Sequence, residues 1–495
     1  MLQQSTIDAL RNEPVQAGEL LIDGAFRPAQ SGESLTILSP IDGRELTTIA
    51  SAGTADIDAA VVAARQSFEK AAWSKASPAE RKKVLLRLAG LIEQHALELA
   101  VLGVRDNGTE IGMALRGEPG SAAATFRYYA EAIDKVHGEV ANTAQDYLGM
   151  VHREPVGVVG AIVPWNFPLM IGAWKLAPAL AAGNSVVIKP AESASLSLLR
   201  LGELAMQAGL PEGVLNIVTG RGSIAGEALA LHMDVDVLAF TGSGTVGRRL
   251  LEYAARSNIK RVFLELGGKS PNIVFADTAD IDLAVAGSVN GMFRNSGQVC
   301  VAGSRLLVQK TIAAEFTEKL LARANALSVG DPLDLDSDVG AISNEEQLHK
   351  NLEYVDLARG EGATLAAGGK RIREESGGYY MQPTVFTGVD AQMTIAQEEV
   401  FGPVLSVIEF EDADDAIGIA NSTPYGLAAG VWTSNLTTAH RMVAAIRSGV
   451  VHVNCYGGAA ISLPLGGMKQ SGNGYDRSLH ALDKYTNLKT AWFSL

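Results

Sequence analysis

The most informative feature of the chain is a cysteine and a glutamate that each lie among glycines. Cys300 lies in NSGQVCVAGSR (295–305), and Glu265 lies upstream in FLELGGKSPN (263–272). Neighbouring glycines let other backbone or a ligand approach closely, as a nucleophile and a water-activating carboxylate require. The alternative is a buried apolar cysteine and a surface glutamate, which is the common role of such residues.

Composition limits the classes of protein to consider. A chain of 495 residues is too long for one hydrophobic core, so two or three domains are expected. The net charge of −14 argues against nucleic acid or an anionic membrane as a partner. The two cysteines cannot form a disulfide framework, and no CxxC or HExxH motif occurs. We therefore expect a cytoplasmic protein without a structural metal.

One apolar stretch resembles a membrane helix in length. Residues 156–174, VGVVGAIVPWNFPLMIGAW, are almost entirely apolar. Pro164 and Pro168 would leave backbone groups unpaired in lipid. The stretch is predicted to be a buried strand, a loop at 165–167 and a helix.

Short Val- and Ile-rich runs alternate with helical stretches from about residue 151 onward, which indicates a parallel sheet covered on both faces. This pattern predicts a doubly wound α/β nucleotide-binding domain, and a second alternation near residue 270 predicts a second α/β domain that carries Cys300. The strand candidates are 156–163, 185–190, 213–220, 235–242 and 260–267 in the first domain, and 271–276, 305–309, 404–410 and 449–454 in the second.

The two ends of the chain differ from this pattern. The N-terminal region is predicted to be mainly helical, with helices at 57–73 and 78–102. Residues 485–495 alternate and are β-prone, and a lone strand there would favour pairing with another subunit.

Six motifs in order give the chain a resemblance to a known family. They are WNFP (165–168), FTGSGTVG (240–247), LELGGKSP (264–271), GQVC (297–300), EEVFGPV (398–404) and PLGGMKQSGNG (464–474). Together they resemble the aldehyde dehydrogenase superfamily, and YYAEAIDKVHGEV (128–140) and SLHALDKYTNLKT (478–490) look like the γ-glutamyl-aminobutyraldehyde and amino-aldehyde dehydrogenases.

The resemblance implies three structural units and a homodimer or homotetramer. Residues 1–132 and 156–264 would form a Rossmann-like NAD-binding domain, and 265–465 the α/β catalytic domain. Residues 133–155 and 466–495 would form a small β oligomerisation element.

The resemblance also implies a covalent route for oxidising an aldehyde with NAD. Cys300 would add to the carbonyl carbon, and the Asn166 amide with the Cys300 backbone N–H would stabilise the oxyanion. After hydride transfer, Glu265 would activate the water that hydrolyses the thioester. Some lowering of the Cys300 pKa by local dipoles or by the cofactor is expected. Lys175 matches a position that could relay the proton, or it is an exposed helical lysine.

Cofactor contacts follow from the same motifs. Lys189 and Glu192 would hold the adenosine ribose, and the carboxylate favours NAD over NADP because it repels a 2′-phosphate. Small residues of FTGSGTVG would let backbone approach the pyrophosphate. The other cofactor candidates are Gly242, Ser243, Trp165, Gly267, Glu399 on the nicotinamide ribose, and Phe401 near the ring.

The substrate passage is where the chain departs from its relatives. Ala459 and Leu465 stand where relatives carry aromatics, and Ala460 stands where amino-aldehyde enzymes commonly carry an acid. The missing acid weakens an amino-aldehyde substrate, and the alanines indicate a roomy apolar passage. An aliphatic, aryl or semialdehyde substrate is favoured instead, with no nucleic acid or membrane partner. The candidate wall residues are Phe167, Ile171, Trp174, Arg294, Val299, Val301, Cys455, Ala459 and Leu465.

Two questions stay open at this stage. Arg294 has the position of a carboxylate-binding arginine of succinate-semialdehyde dehydrogenases, although Trp174 replaces their second arginine; it could equally pair with a surface acid. A cofactor-free thiol hydrolase using Cys300, Glu265 and Lys269 is the alternative from another class, and a catalytically silent fold is a third.

Overall fold

Two large sheets form the frame of the computed structural model, which describes residues 2–458 and 460–495. The first sheet has eight strands, and its five central strands are parallel. In sheet order its strands are Ala25–Arg27, Leu20–Ile22, Leu215–Ile217, Ser185–Lys189, Val158–Ile162, Val237–Thr241, Arg261–Glu265 and Gly472–Asn473.

The second sheet has seven strands, and all of its pairings except the first are parallel. In order they are Thr364–Ala367, Thr384–Thr387, Val404–Phe410, Arg305–Gln309, Pro271–Val274, Ala428–Trp432 and Val450–Val453. The predicted α/β class, with a doubly wound first domain and a second α/β unit, is confirmed.

Smaller sheets complete the β structure. An antiparallel three-stranded sheet joins Thr486–Ser494, Tyr147–Pro155 and Glu139–Ala141. Two hairpins pair Ser34–Leu38 with Glu45–Ala50, and Arg371–Ile372 with Tyr380–Met381.

The α-helices cover the sheets and carry most of the buried alanine and leucine. They are Gln4–Arg11, Thr54–Lys70, Pro78–Gln94, Ala96–Asn107, Ile111–Leu115, Ser121–Ala132, Pro168–Ala181, Leu196–Ala208, Glu227–Leu231, Gly244–Arg256, Ile281–Phe293, Ala313–Asn325, Glu345–Gly360, Thr394–Gln397, Ala413–Asn421 and Leu436–Ala445. Within the described residues, no helix combines the length and the apolarity needed to cross a membrane.

Several local predictions were wrong. The helix predicted over 78–102 is two helices, interrupted at His95. The N-terminal region also contains four strands, and Leu20–Ile22 extends the first sheet. Local periodicity did not reveal them, because two of them are only three residues long.

The C-terminal segment forms a strand, as predicted, but this strand is paired within the chain. Thr486–Ser494 pairs over nine residues with Tyr147–Pro155 of the same chain. It is nevertheless the outer strand of its sheet, so one edge stays unpaired. Gly472–Asn473, within the segment assigned to oligomerisation, pairs with the end of Arg261–Glu265 in the first sheet. The division of the chain into three units stays a prediction.

Candidate active site

Four neighbouring parallel strands of the first sheet bring predicted site residues to one edge. The carboxyl ends of parallel strands lie at the same edge of a sheet, which is where ligands bind in such folds. In sheet order these are Ser185–Lys189 with Lys189, Val158–Ile162 followed by Asn166, Val237–Thr241 followed by Gly242 and Ser243, and Arg261–Glu265 with Glu265.

The loop before Cys300 has an unusual backbone. Asn295, Ser296 and Gly297 are consecutive left-handed residues, with φ of 49°, 53° and 70°. For residues with a Cβ this conformation costs about 1–2 kcal/mol each. Hydrogen bonds compensate: the Asn295 N–H donates to the Glu110 carboxylate at 3.0 Å, and the Ser296 hydroxyl donates to the Gly340 carbonyl at 2.9 Å. The turn that presents the thiol is therefore held from outside the loop.

Segments of both large units meet around this cysteine. Asn166 is buried, and its Nδ2 donates to the Gln298 carbonyl at 2.8 Å. A Cβ on Gly268 would lie 2.7 Å from the Cys300 carbonyl oxygen. The Asn166 amide has a second hydrogen for which the described part of the chain offers no acceptor. An oxygen bound beside the thiol could accept it.

The electrostatics of Cys300 contradict one expectation. Burial, reinforced by Glu399 and Glu265, raises the pKa of the thiol to about 12. The Val301 N–H and Arg294 oppose this shift but do not reverse it. The protein's own dipoles therefore do not lower this pKa overall, because burial and two neighbouring carboxyl groups outweigh them. Lowering of the pKa by the cofactor, the other expected source, stays a prediction.

Glu265 adjoins a buried cluster of charges. Lys175 and Lys484 both form ion pairs with Asp476, and these three side chains are at most 3% exposed. The pKa of Glu265 is raised by burial and by Asp476, whereas Lys175 and Lys484 lower it. Its Oε1 is buried without a hydrogen-bond partner in the described chain. Lys175 is not the exposed lysine of the alternative interpretation, and Glu265 is not a surface residue.

The candidate cofactor residues form two groups at the sheet edge. In the first, Lys189 is buried and its Nζ lies 3.2 Å from Glu192 Oε2, while Glu192 Oε1 accepts from the Gly222 N–H at 3.4 Å. Ser243 caps the helix that follows it, accepting from the Val246 N–H at 3.3 Å. Its hydroxyl hydrogen can still be donated.

Gly242 lies beside Ser243 in a tight space. A Cβ on Gly242 would come within 2.4 Å of the Phe240 ring. A side chain at this position would have to displace the end of that ring, and the approach of this backbone to a pyrophosphate stays a prediction.

The second cofactor group lies nearer the thiol. Glu399 Oε1 accepts from the Gly268 N–H at 3.0 Å, and a Cβ on Gly267 would lie 1.9 Å from Glu399 Oε2. Phe401 packs edge-to-face on Trp165, with ring centres 5.3 Å apart. Burial raises the pKa of Glu399 to about 7.

Cys300 opens onto a cavity of about 460 Å³. Seven of the predicted wall residues line it: Phe167, Ile171, Trp174, Arg294, Val299, Val301 and Leu465. Cys455 does not; it is exposed and lies outside the cavity lining. Ala459 lies outside the described residues.

Arg294 is part of the cavity wall. It is half-buried and forms no ion pair with the part of the chain that the structure describes, so the surface salt bridge considered from the sequence is wrong. Sequence reasoning missed several other wall residues because they come from distant segments with no motif. They include Met113, Met170, His452, Ile461 and Arg477.

Comparisons with known proteins agree with this geometry. The model of the aldehyde dehydrogenase family matches residues 26–491. The NADP/NAD-dependent aldehyde dehydrogenase PuuC of Escherichia coli (strain K12) is 48% identical over 476 residues, covering 96% of this chain and 95% of that protein.

Solved structures give the same result. An indole-3-acetaldehyde dehydrogenase complexed with NAD+ superposes with a TM-score of 0.99 at 49% identity, and both chains are covered completely. The γ-glutamyl-γ-aminobutyraldehyde dehydrogenase of Burkholderia cenocepacia superposes with a TM-score of 0.98 at 50% identity, again over both whole chains. The resemblance found in the sequence is confirmed.

These matches span both large sheets, so they exclude the alternative of a hydrolase without a nucleotide-binding domain. This protein belongs to the aldehyde dehydrogenase family and is an oxidoreductase that converts aldehydes to carboxylic acids.

Proposed function

We propose that the protein oxidises a small aldehyde with NAD through a thioester on Cys300. The observation that carries this proposal is the position of Cys300 on the wall of a ligand-sized cavity. Asn166 donates to the carbonyl of Gln298, two residues before the thiol, and Glu265 lies near enough to raise the pKa of Cys300. The proposed nucleophile, oxyanion donor and base thus come from three separate segments of the chain.

The residues for the cofactor fit a dinucleotide. The Lys189 ammonium and the Glu192 carboxylate match two ribose hydroxyls, Ser243 can donate to the pyrophosphate, and Glu399 can accept from the second ribose. NAD, when bound, accepts the hydride that leaves the substrate carbon. Since a similar protein is described as NADP/NAD-dependent, we propose a preference for NAD rather than an exclusion of NADP.

The chain's own groups carry the remaining steps. The Cys300 thiolate bonds to the carbonyl carbon, and the Asn166 amide with the Cys300 N–H stabilises the resulting oxyanion. The C–H bond then breaks as the carbonyl re-forms, which leaves a thioester on sulfur. Glu265 takes a proton from water, hydroxide attacks the thioester, and the acid departs as the thiolate is restored.

A raised Glu265 pKa suits this role. The charged form is disfavoured by burial and by Asp476, so the carboxylate is a stronger base than one in water. Lys175 is a positioning residue here: its cation keeps that pKa from rising further.

Assembly and location are part of the same proposal. The outer strand Thr486–Ser494 carries Leu488 and Trp492, which are 65% and 60% exposed, and Leu495, 78% exposed, follows it directly. An apolar, unpaired strand edge of this kind favours pairing with a second copy of the chain. We propose a homodimer or homotetramer, with 133–155 and the 486–494 strand as the contact element, in the cytoplasm.

The substrate is an aliphatic, aryl or semialdehyde, with an amino-aldehyde as the alternative suggested by the name of a similar protein. A cavity of about 460 Å³ with mostly apolar walls accommodates any of these by size.

The proposal is tested on Cys300→Ala, with Cys455→Ala as the matched control because that cysteine is exposed and outside the cavity. We expect Cys300→Ala to abolish NADH formation, while NAD still raises the melting temperature of the variant by mass action. Cys455→Ala should keep wild-type turnover. Residual activity above a few per cent in Cys300→Ala would remove this cysteine from the mechanism.

A further inference from the structure

We propose that Thr109 and Glu110 form a clamp that positions the thiol-bearing loop against the oxyanion donor Asn166. The inference rests on the proposed function, because it assumes that Cys300 and Asn166 act on the same substrate carbon. Neither clamp residue is among the described residues that line the cavity at Cys300. Both are therefore positioning residues, which act through the groups they hold.

The clamp lies in a buried link, 108–110, between two helices of the N-terminal region. The Gly108 carbonyl accepts from the Ala341 N–H at 3.0 Å. On the other side of the clamp, the Ile111 N–H donates to the Pro332 carbonyl at 2.7 Å. The link is thus fixed at both of its ends to the segment that follows residue 330, and it can serve as a rigid support.

Glu110 holds the backbone of the thiol loop at the first of its left-handed residues. The two carboxylate oxygens lie 3.0 and 3.2 Å from the backbone nitrogen of Asn295. Burial raises the pKa of Glu110 to about 7, although the N–H and two nearby arginines, Arg294 and Arg116, oppose this shift. In its charged form the carboxylate accepts a hydrogen bond roughly twice as strong as a neutral one.

Thr109 fixes the direction of the Asn295 side-chain amide. The Thr109 hydroxyl donates to Asn295 Oδ1 at 2.8 Å, while Asn295 Nδ2 donates to the carbonyl of Asn166 at 3.2 Å. A carbonyl can only accept, so the amide nitrogen has to face Asn166 and the amide oxygen has to face Thr109. Because Asn295 is 1% exposed, loss of the hydroxyl would leave its Oδ1 buried without a donor from the described chain.

These bonds connect the thiol loop to the oxyanion donor. Asn166 Nδ2 donates to the Gln298 carbonyl at 2.8 Å, and Asn295 Nδ2 lies 3.4 Å from the same carbonyl oxygen. The distance between the Cys300 sulfur and the donor amide therefore depends on one asparagine that the clamp orients. A displacement of about 1 Å between reacting groups can cost about a hundredfold in rate.

The test compares Thr109→Val with Thr433→Val, which is the matched control. Thr433 is 2% exposed, and its hydroxyl donates to the Asp277 carboxylate at 2.8 Å. It follows a strand of the second sheet and does not belong to the described lining of the cavity. Each variant loses one buried hydrogen bond, so both should lower the melting temperature by comparable amounts.

Only Thr109→Val should affect the chemistry. We expect its kcat to fall about ten- to hundredfold with both propionaldehyde and benzaldehyde, because the clamp does not touch the substrate. The Kd for NAD, measured by calorimetry, should stay at the wild-type value. Alkylation of Cys300 by iodoacetamide, measured without NAD in a Cys455→Ala background, should be faster in Thr109→Val than in the control, because a looser loop exposes the sulfur. Thr109→Ser keeps the hydroxyl and should restore turnover.

Each outcome supports or overturns the clamp. Equal turnover and equal alkylation in Thr109→Val and Thr433→Val would overturn it, and so would a Thr109→Ser variant as slow as Thr109→Val. If the wild type forms no NADH from either aldehyde, the proposed function fails instead, and the alkylation comparison still tests the clamp. If Thr109→Val does not fold, Glu110→Gln replaces it: the charge is lost, so turnover should fall and alkylation should rise, and no change in either would overturn the proposal.

Discussion

Replacing Asp476 by asparagine tests the buried charge cluster behind Glu265. In the wild type, Asp476 pairs with both Lys175 and Lys484, and all three side chains are at most 3% exposed. Asparagine keeps the shape and removes the charge. Two ammonium groups then stay buried without a counter-ion, or one of them must lose its proton.

The expected cost follows from this burial. Breaking a buried ion pair by removing one partner typically costs about 3–5 kcal/mol of unfolding free energy. Asp483→Asn is the matched control: the same substitution a few residues away breaks the ion pair of Asp483, 62% exposed, with Arg153. An exposed pair contributes about 0.2–1 kcal/mol. The assay is urea unfolding of both variants beside the wild type.

The difference in unfolding free energy between the wild type and Asp476→Asn should depend on pH, and the sign of this dependence follows from the pKa of Asp476. Although burial opposes it, Lys175 and Lys484 keep the pKa of Asp476 below its usual value. The contribution of Asp476 is therefore complete above the unfolded carboxyl pKa of about 3.9 and is lost as the pH falls through the lower folded value. The stability gap between wild type and Asp476→Asn should be full at neutral pH and should narrow in acid.

The same variant has a kinetic consequence at Glu265. Asp476 raises the pKa of Glu265, and Lys175 and Lys484 lower it. With the aspartate charge gone, the pKa of Glu265 should fall, so the acid limb of thioester hydrolysis should move to lower pH. Equal destabilisation by Asp476→Asn and Asp483→Asn, together with an unmoved acid limb, would refute the reasoning.

Three further predictions concern the thiol, the base and the assembly. Glu265→Gln should acylate but hydrolyse slowly, so intact-protein mass spectrometry should detect a thioester; normal deacylation would mean that another group is the base. In a Cys455→Ala background without NAD, alkylation of Cys300 by iodoacetamide should rise about tenfold per pH unit through at least pH 10, because its pKa is raised to about 12; a plateau near pH 8 would contradict this. Trp492→Lys on the open strand edge should lower the mass measured by light scattering, whereas Leu436→Lys, at a site 72% exposed on a helix, should not.

Bound NAD is expected to change the reactivity of the Cys300 thiol. Arg294 lowers the pKa of Cys300, but burial, Glu399 and Glu265 together raise it by more, so further positive charge has to come from a bound group. We expect NAD to accelerate alkylation of Cys300 at neutral pH. No acceleration would show that the thiol is activated in another way.

The sequence by itself determined the class of the fold and indicated the candidate residues for the chemistry. Continuous Val- and Ile-rich runs separated by amphipathic helices can bury both faces of a strand only in a parallel sheet, so the strands around Lys189 and Glu265 were predictable. The role of the glycines around Cys300 and Glu265 could also be inferred from the sequence, because the absence of a side chain is what permits close backbone approach.

Only the tertiary structure decided what surrounds these residues. The partner that Asp476 takes at Lys175 is distant in sequence, and no local pattern marks either as buried. The direction of the Cys300 pKa shift depends on two carboxyl groups that come from different segments. Arg477 and Trp174 become neighbours on one cavity wall only after the chain returns from the second sheet to the first. Burial and charge at the site are sums over such long-range contacts, and a linear pattern of residues does not contain them.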